Sequence, residues 1–210
     1  MRNICFSMAT MHEHGNAFYE FLRLRKRLFV DTLNWDIPHN DIVEMDEYDN
    51  PAAFYSLVLD GERLVGGART MPVNAVWGTK TSMFQDAMLG KIEGIPSDLV
   101  TGSFDPEISW ECTRLIIDDS VTGADARKTC LNLIVDGLAQ MASDQGAKVL
   151  VSLSPPPLQR ALRGLGHDVS QIGRTYRCES DGRNYCLLSM PALVSDAAKR
   201  ANSGGLRAAS

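Results

Sequence analysis

Carboxylates and arginines at unusual positions are the first residues in this sequence that could do chemistry. Residues 41–49 contain five carboxylates in nine positions and no basic residue. Arg25 lies on the apolar face of a predicted helix, four residues from both Phe21 and Phe29. An arginine is rarely buried without a partner, because an unpaired buried charge is costly. Arg25 therefore lies either at a solvated edge or against an acid in a cleft.

A second set of charged residues lies on predicted strands. Glu111 and Arg114 belong to the predicted strand 108–117, and in a regular strand their side chains point to opposite faces. If both side chains reach one site, a β-bulge must lie between them, and we predict that bulge. Arg69 shares a strand face with Gly67, so it is another arginine on a potentially inward side.

The elements that must position these residues follow from hydrophobic periodicity and turn residues. The pattern predicts a helix over 15–33, strands over 53–59 and 63–71 joined as a hairpin, a loop over 73–107 with a short helix near 84–89, a strand over 108–117, a helix over 123–143, a strand over 148–153, a helix over 155–166, and strands over 171–177 and 185–190. Gly66 and Gly67 remove two side chains from a strand, which indicates close approach of a backbone or a ligand. Alternating strands and helices imply a parallel pair, and hairpins imply antiparallel pairs. The simplest fold is α/β, with a single mixed β-sheet flanked by helices on both faces.

Length, charge and cysteine usage limit the class of protein. The 210 residues predict one domain over 1–194, with a flexible C-terminal tail over 195–210. The net charge of −5 argues against a nucleic-acid partner. No membrane span or secretory signal is expected, because no apolar run reaches the ~18–20 residues that a span needs. Five cysteines without a CxxC pair favour a reduced, cytoplasmic protein, and no metal site is expected.

The charged and aromatic residues also occur in a distinctive order. The order is R-x3-F-x5-W, then E-x-D-x2-D, then an arginine that ends a G-x-A-R stretch, then W-E-x-[ST]-R. The matching residues are Arg25, Phe29, Trp35, Glu44, Asp46, Asp49, Arg69, Glu111 and Arg114. This pattern resembles the acyl-homoserine-lactone synthases, the autoinducer synthases of bacterial quorum sensing. The chain departs from the usual E-L-S-R of the family, since it has Cys112 and Thr113 in the two middle positions.

The resemblance implies an N-acyltransferase (GNAT)-like fold and a two-step reaction. The amine of S-adenosylmethionine (SAM) is acylated by an acyl thioester on acyl carrier protein or coenzyme A. The SAM carboxylate then closes a lactone and expels methylthioadenosine. No cofactor is implied, because both small molecules are substrates.

The resemblance also implies roles for individual residues. Glu44, Glu111 and Arg114 are expected to be catalytic, with Glu111 as the general base whose pKa burial would raise. The oxyanion needs fixed donors, which we expect to be backbone N–H groups at an irregular point of the strand. The residues expected to bind SAM are Arg25, Phe29, Trp35, Asp46, Asp49 and Arg69.

Two further sets concern the acyl donor. Thr113, Val151 and Ser152 are expected to line an acyl pocket. Basic residues outnumber acidic ones between positions 148 and 177. We expect this segment to dock an acidic carrier protein, chiefly through Lys148, Arg160 and Arg163.

Three alternatives remain open from the sequence. The charged residues could have structural roles only, the buried set as an ion-pair network and the basic segment as ordinary solvated surface. The chain could also be a general N-acetyltransferase that uses acetyl-coenzyme A, although residues 118–127 lack the usual pyrophosphate-binding spacing. A non-catalytic binding module is the third alternative, and the intact charged set argues against it.

Overall fold

The computed structural model describes residues 1–100 and 104–195. Within these residues one sheet has the strand order β1-β2-β3-β4-β5-β8-β6, and β7 pairs with β8. The strands are β1 Arg2–Ser7, β2 Phe54–Asp60, β3 Arg63–Pro72, β4 Ser109–Ile117, β5 Val149–Ser154, β6 Ser170–Gln171, β7 Tyr176–Arg177 and β8 Asn184–Pro191. The helices are α1 Ala17–Arg25, α2 Met83–Met88, α3 Ala124–Asp144 and α4 Pro157–Gly164, with a 3-10 turn at Met11–His14 and a π-helical segment at Lys26–Thr32 directly after α1.

The sheet is mixed, and its single parallel contact within the described residues is short. Strands β1 to β4 pair antiparallel in chain order, and β8 runs antiparallel to β5, β6 and β7. Strands β4 and β5 are parallel, and their pairing extends only from Ser109–Val149 to Glu111–Val151. Beyond Glu111 the two strands no longer pair, so the sheet opens between them.

Helices cover both faces of the sheet. Helix α3 packs Ile134 against Val58 and Val65 on one face. Helix α1 packs Phe21 against Leu57 on the opposite face, because Leu57 and Val58 are successive residues of β2. The predicted fold, one mixed sheet with helices on both sides, is therefore confirmed.

Gly66 and Gly67 provide the close approach that the sequence indicates, and protein atoms occupy the space on both faces. A Cβ at Gly66 would lie 3.0 Å from Cys130 Sγ of α3. A Cβ at Gly67 would lie 3.2 Å from a ring carbon of Phe21 in α1. The two glycines thus let one helix pack closely on each side of β3.

Two elements differ from the sequence prediction. Strand β1 was not predicted; it pairs with β2 and buries Ile4 and Phe6. Polar residues in β1 obscure the alternation of apolar residues that predicts a strand. In the fold Asn3, one of these polar residues, donates a 2.9 Å hydrogen bond to Ser56 Oγ of β2. The predicted strand 171–177 is divided into β6 and β7, with Gly173 at φ +86° between them.

Among the described residues, no helix is long and apolar enough to cross a bilayer. Residues 196–210 of the expected tail lie outside the described part.

We expect Gly137→Ala, in the middle of α3, to lower the free energy of unfolding by about 1–3 kcal/mol, the usual cost of overpacking. The added Cβ would lie 2.3 Å from Ser56 Oγ and 2.7 Å from Asn3 Oδ1. Gly164→Ala in α4 is the matched control, since its Cβ would meet no atom within 4 Å. Urea unfolding measures both, and equal effects of the two substitutions would contradict close packing at Gly137.

Candidate active site

The predicted irregularity of β4 is present at Arg114. Two residues of β4, Arg114 and Leu115, face the single residue Ala68 of β3. Arg114 has φ +58°, a left-handed conformation that is uncommon for a residue with a side chain. A bulge is therefore present, but it lies at Arg114 and Leu115, just beyond the predicted interval between Glu111 and Arg114. It brings Arg114 to the side of Thr113, whose hydroxyl accepts a 3.1 Å hydrogen bond from Arg69 Nε.

Six charged side chains next to this bulge form a closed ring of ion pairs, which we call the charge ring. Its members, in order around the ring, are Arg25, Glu44, Arg114, Asp46, Arg69 and Asp49. Arg25 lies 2.5 Å from Glu44 and 2.8 Å from Asp49. Arg69 lies 2.5 Å from Asp46 and 2.9 Å from Asp49. Each arginine thus joins two carboxylates, and the formal charges cancel.

Arg114 closes the charge ring on its most accessible side. Its guanidinium contacts Asp46 at 2.6 Å and Glu44 at 3.3 Å. The Arg114 side chain is 7% exposed, whereas those of Arg25 and Arg69 are fully buried. A ligand can therefore reach the charge ring most directly at Arg114.

Four members of the charge ring have pKa values shifted toward the ionised form despite their burial. Burial alone would raise the pKa of Asp46 and Asp49, but the arginines outweigh it and hold both pKa values below the usual range. Burial alone would lower the pKa of Arg25 and Arg69, but the carboxylates raise both. The ring is thus a set of compensated charges in the interior.

Local structure delivers these side chains to one place. Arg25 is the last residue of α1, on its buried face. The backbone N–H of Glu44 donates to the Leu22 carbonyl at 3.2 Å, which ties the acidic segment to α1. A tight turn follows, in which the Asp46 N–H donates to Asp49 Oδ2 at 3.0 Å.

A cavity of about 500 Å³ occupies the gap between β4 and β5. It is lined by residues 112–115 of β4, by residues 150–154 of β5 and by residues of both helical layers. Because the strands separate after Glu111, the cavity passes from one face of the sheet to the other.

One end of the cavity, the aromatic end, is lined by Phe29, Trp35 and Arg114. Phe29 and Trp35 stack with ring centroids 4.9 Å apart and an interplanar angle of 21°. The Arg114 guanidinium lies 5.5 Å from the Phe29 centroid and 6.0 Å from that of Trp35. This end offers a cation, π-faces and an apolar wall.

The other end, the aliphatic end, is lined by Val135 and Leu138 of α3 and by Leu162 of α4. It suits an apolar chain, since burial of each CH₂ contributes about 0.8 kcal/mol. All three residues expected in an acyl pocket line this cavity, namely Thr113, Val151 and Ser152.

The residues expected to bind SAM fall into two groups. Phe29 and Trp35 line the cavity, whereas Arg25, Asp46, Asp49 and Arg69 lie behind it in the charge ring, together with Glu44. The four ring members expected to bind SAM are thus saturated by ion pairs.

Glu111 lies close to the cavity without lining it. Its side chain is buried, and Oε2 accepts a short hydrogen bond from the backbone N–H of Phe84 in α2. Oε1 has no hydrogen-bond partner among the described residues. Burial raises the pKa of Glu111, and the hydrogen bond from Phe84 only partly offsets this effect. Met83, the residue before Phe84, lines the cavity.

The residues expected to dock a carrier protein do not form one cluster. Lys148, Arg160 and Arg163 are exposed. Lys148 precedes β5, whereas Arg160 and Arg163 follow it on α4. Arg163 Nε donates to the Val169 carbonyl at 2.7 Å, so this side chain also supports the local structure.

Sequence reasoning missed the residues that β8 and the preceding turn contribute. Arg183 and Tyr185 line the cavity, and Asp181 binds the Trp35 indole N–H. The only sequence signal is the Asp-Gly pair at 181–182, which indicates a turn but not its partner.

We expect Arg69→Met to lower the free energy of unfolding by about 3–5 kcal/mol, because it leaves buried Asp46 and Asp49 with one arginine partner each in the charge ring, Arg114 and Arg25, instead of two. Arg23→Met is the control; Arg23 forms a solvated pair with Glu20, so its loss is expected to cost less than about 1 kcal/mol. Urea unfolding compares the two, and equal costs would show that the charge ring does not support the fold.

The chain is similar to known enzymes. Residues 9–197 match the sequence family described as autoinducer synthase. The acyl-homoserine-lactone synthase of Aeromonas salmonicida is 31% identical over 168 residues, which cover 77% of this chain and 74% of that protein. The isovaleryl-homoserine lactone synthase of Bradyrhizobium diazoefficiens is 27% identical over 227 aligned positions, covering 97% of this chain and 95% of that protein.

The fold is also similar to solved structures. A CoA-dependent acyl-homoserine lactone synthase, solved with SAM and isopentyl-CoA, superposes with a TM-score of 0.69 at 19% identity, covering 90% of this chain and 82% of the other. These matches favour an autoinducer synthase over a general N-acetyltransferase. The chain therefore belongs to the autoinducer synthase family, the enzymes that synthesise acyl-homoserine lactones.

Proposed function

We propose that this enzyme transfers an acyl group from a thioester on acyl carrier protein or coenzyme A to SAM, and then closes the homoserine lactone ring for quorum sensing. The observation that carries the proposal is the cavity between β4 and β5. It joins the charged, aromatic end at Arg114 to an aliphatic end between α3 and α4. A substrate pair with one cationic polar member and one apolar chain fits this division.

In the first step, the SAM amine attacks the thioester carbonyl. The amide C–N bond forms, the carbon–sulfur bond of the thioester breaks, and the carrier leaves as a thiol. The bulge at Arg114 and Leu115 interrupts the pairing of β4, and backbone N–H groups there are suited to stabilise the oxyanion.

In the second step, the carboxylate of the acylated SAM attacks its own γ-carbon. A C–O bond closes the lactone, and the bond to the sulfonium breaks to release methylthioadenosine. Both small molecules are consumed, so they are substrates and not cofactors. Because Arg114 lines the cavity, it is the residue proposed to orient the carboxylate by charge-assisted hydrogen bonds.

The charge ring acts mainly through its accessible members. The other five members, among which Glu44 and Asp46 contact Arg114 directly, hold Arg114 at the edge of the cavity. Their contribution to SAM binding is indirect in this arrangement, because each is saturated by partners within the ring. Phe29 and Trp35 line the cavity and are the aromatic rings proposed to contact the sulfonium directly.

The compartment proposed for the reaction is the cytoplasm. All five cysteines, which lie within the described residues, are free, as is usual where the cell keeps thiols reduced.

The reaction itself is tested by incubating the purified protein with SAM and a panel of acyl thioesters on carrier protein and on coenzyme A. Methylthioadenosine and an acyl-homoserine lactone should form in equal amounts with at least one donor. Transfer from acetyl-CoA to simple amines, with no methylthioadenosine from any donor, would replace this proposal with a general N-acetyltransferase.

We expect Glu111→Gln to lower kcat by about 10²–10⁴-fold, the usual contribution of a general base, with little change in SAM affinity. The base acts as the carboxylate, and burial raises its pKa. Activity of the native enzyme should therefore rise as the pH increases through that raised pKa, and the variant should lose this limb of the profile. A variant that keeps the native rate and pH profile would remove Glu111 from the role of base.

We expect Arg160→Glu to raise the KM for an acyl donor on carrier protein about three- to tenfold at low salt, and to leave the KM for SAM unchanged. Arg160 is preferred to Arg163, which also bonds the Val169 carbonyl. Arg2→Glu is the control, since Arg2 is exposed on β1 at the opposite edge of the sheet. An unchanged KM for the carrier donor would make α4 ordinary surface.

A further inference from the structure

A single carboxylate outside the cavity connects the last hairpin to the aromatic end. Asp181 lies in the turn between β7 and β8. Its Oδ2 accepts a 2.9 Å hydrogen bond from the Trp35 indole N–H and a 2.6 Å bond from the Tyr185 hydroxyl. Trp35 and Asp181 are 146 positions apart in the sequence. Two walls of the cavity therefore share one acceptor.

The turn holds this acceptor in place independently of Trp35. Asp181 Oδ1 accepts from the Arg183 backbone N–H at 2.9 Å. The hairpin is closed by a 2.8 Å bond from the Cys178 N–H to the Arg183 carbonyl, and Gly182 adopts φ +66°. Although burial acts to raise the pKa of Asp181, the hydrogen bonds from Tyr185, Arg183 and Trp35 lower it. Asp181 is thus a fixed anionic acceptor.

The other side-chain contacts of Trp35 are ring and apolar contacts: it stacks on Phe29, meets Tyr185 edge-on with ring centroids 6.4 Å apart, and packs against a cluster that includes Leu99. It follows the π-helical segment, where its backbone N–H donates to the Phe29 carbonyl at 2.9 Å. The preceding Asn34 has a left-handed φ of +54°, and the residues on both sides of Trp35 are exposed. These ring and apolar contacts hold the indole in the wall, but they are less directional than a hydrogen bond. The bond to Asp181 is the contact that fixes where the indole edge points.

We infer that Asp181 is a positioning residue, which holds Trp35 over the aromatic end of the cavity so that the Phe29–Trp35 stack and Arg114 are assembled before SAM binds. This inference rests on the proposed function, since it assigns the aromatic end to SAM. A carboxylate acceptor bonds more strongly than a neutral one, so it preorganises the indole at little entropic cost during binding.

The first test separates SAM binding from chemistry. We expect Asp181→Ala to raise the KM for SAM about tenfold, the size of effect expected when a hydrogen bond to a charged group is lost, with kcat changed less than about twofold. Asp181→Asn keeps one acceptor oxygen and should give an intermediate KM. Asp119→Ala, at an exposed carboxylate in the turn after β4, is the control and should behave as the native enzyme.

The second test asks whether Asp181 acts through Trp35. Trp35→Phe keeps an aromatic ring but removes the indole N–H. In that background, Asp181→Ala should change the KM for SAM by less than about twofold, because the shared interaction is already absent. Additive effects of the two substitutions on the KM for SAM would mean a general structural role for Asp181. A loss of kcat in place of a raised KM for SAM would mean the same, and either result would overturn the inference.

A third measurement is independent of activity. Asp181→Ala should increase the quenching of Trp35 fluorescence by acrylamide, read as the difference between each protein and its Trp35→Phe counterpart. Unchanged quenching would overturn the inference even if the enzyme were active. Absence of turnover with every acyl donor, together with increased quenching, would overturn the proposed function and leave the contact between Asp181 and Trp35 established.

Discussion

The charge ring is the interaction on which the rest of this structure depends. Six side chains of formal charge lie in the interior, where an unpaired charge would cost several kcal/mol, and they are tolerated because each arginine meets two carboxylates. The ring takes members from the end of α1, the acidic loop, β3 and β4. These elements can therefore reach their native positions only together, which couples the N-terminal helix to the centre of the sheet.

The position of the ring also explains the strain at Arg114. A regular β4 would direct this side chain away from Glu44 and Asp46. The bulge and the left-handed φ reverse its direction, and the ion pairs to both acids offset the conformational cost. The same bulge lies at residues that line the cavity, so one local irregularity affects both the packing of charge and the site proposed for the chemistry.

The gap between β4 and β5 is the second constraint. Parallel pairing ends at Glu111, and neither strand is paired with the other beyond it. The apolar residues that would otherwise pack across a closed sheet line a cavity instead. The cavity has two chemically distinct ends, because the charge ring lies at one side and aliphatic residues line the other. The charged side chains at the first end are buried as ion pairs and not singly.

Much of this arrangement was predictable from local patterns. The spacing of Arg25 against Phe21 and Phe29 indicated an arginine either at a solvated edge or against an acid. The alternation of Glu111 and Arg114 required a bulge if both side chains were to reach one site. Both follow from the fixed geometry of helices and strands. The prediction that the basic residues near α4 act as one surface had no such basis, since charges close in sequence need not be close in space.

By itself, the sequence determined the mixed sheet, the covering helices, the family and the set of charged residues, because periodicity and motif order are local properties of the chain. Only the tertiary structure decided how those charges are shared. It placed Arg25, Arg69 and Asp49 behind the cavity and Arg114 at its edge, and it brought Asp181 to Trp35. The packing of whole elements against one another decides which of the six buried charged side chains form ion pairs. It also decides which residues 146 positions apart come into contact.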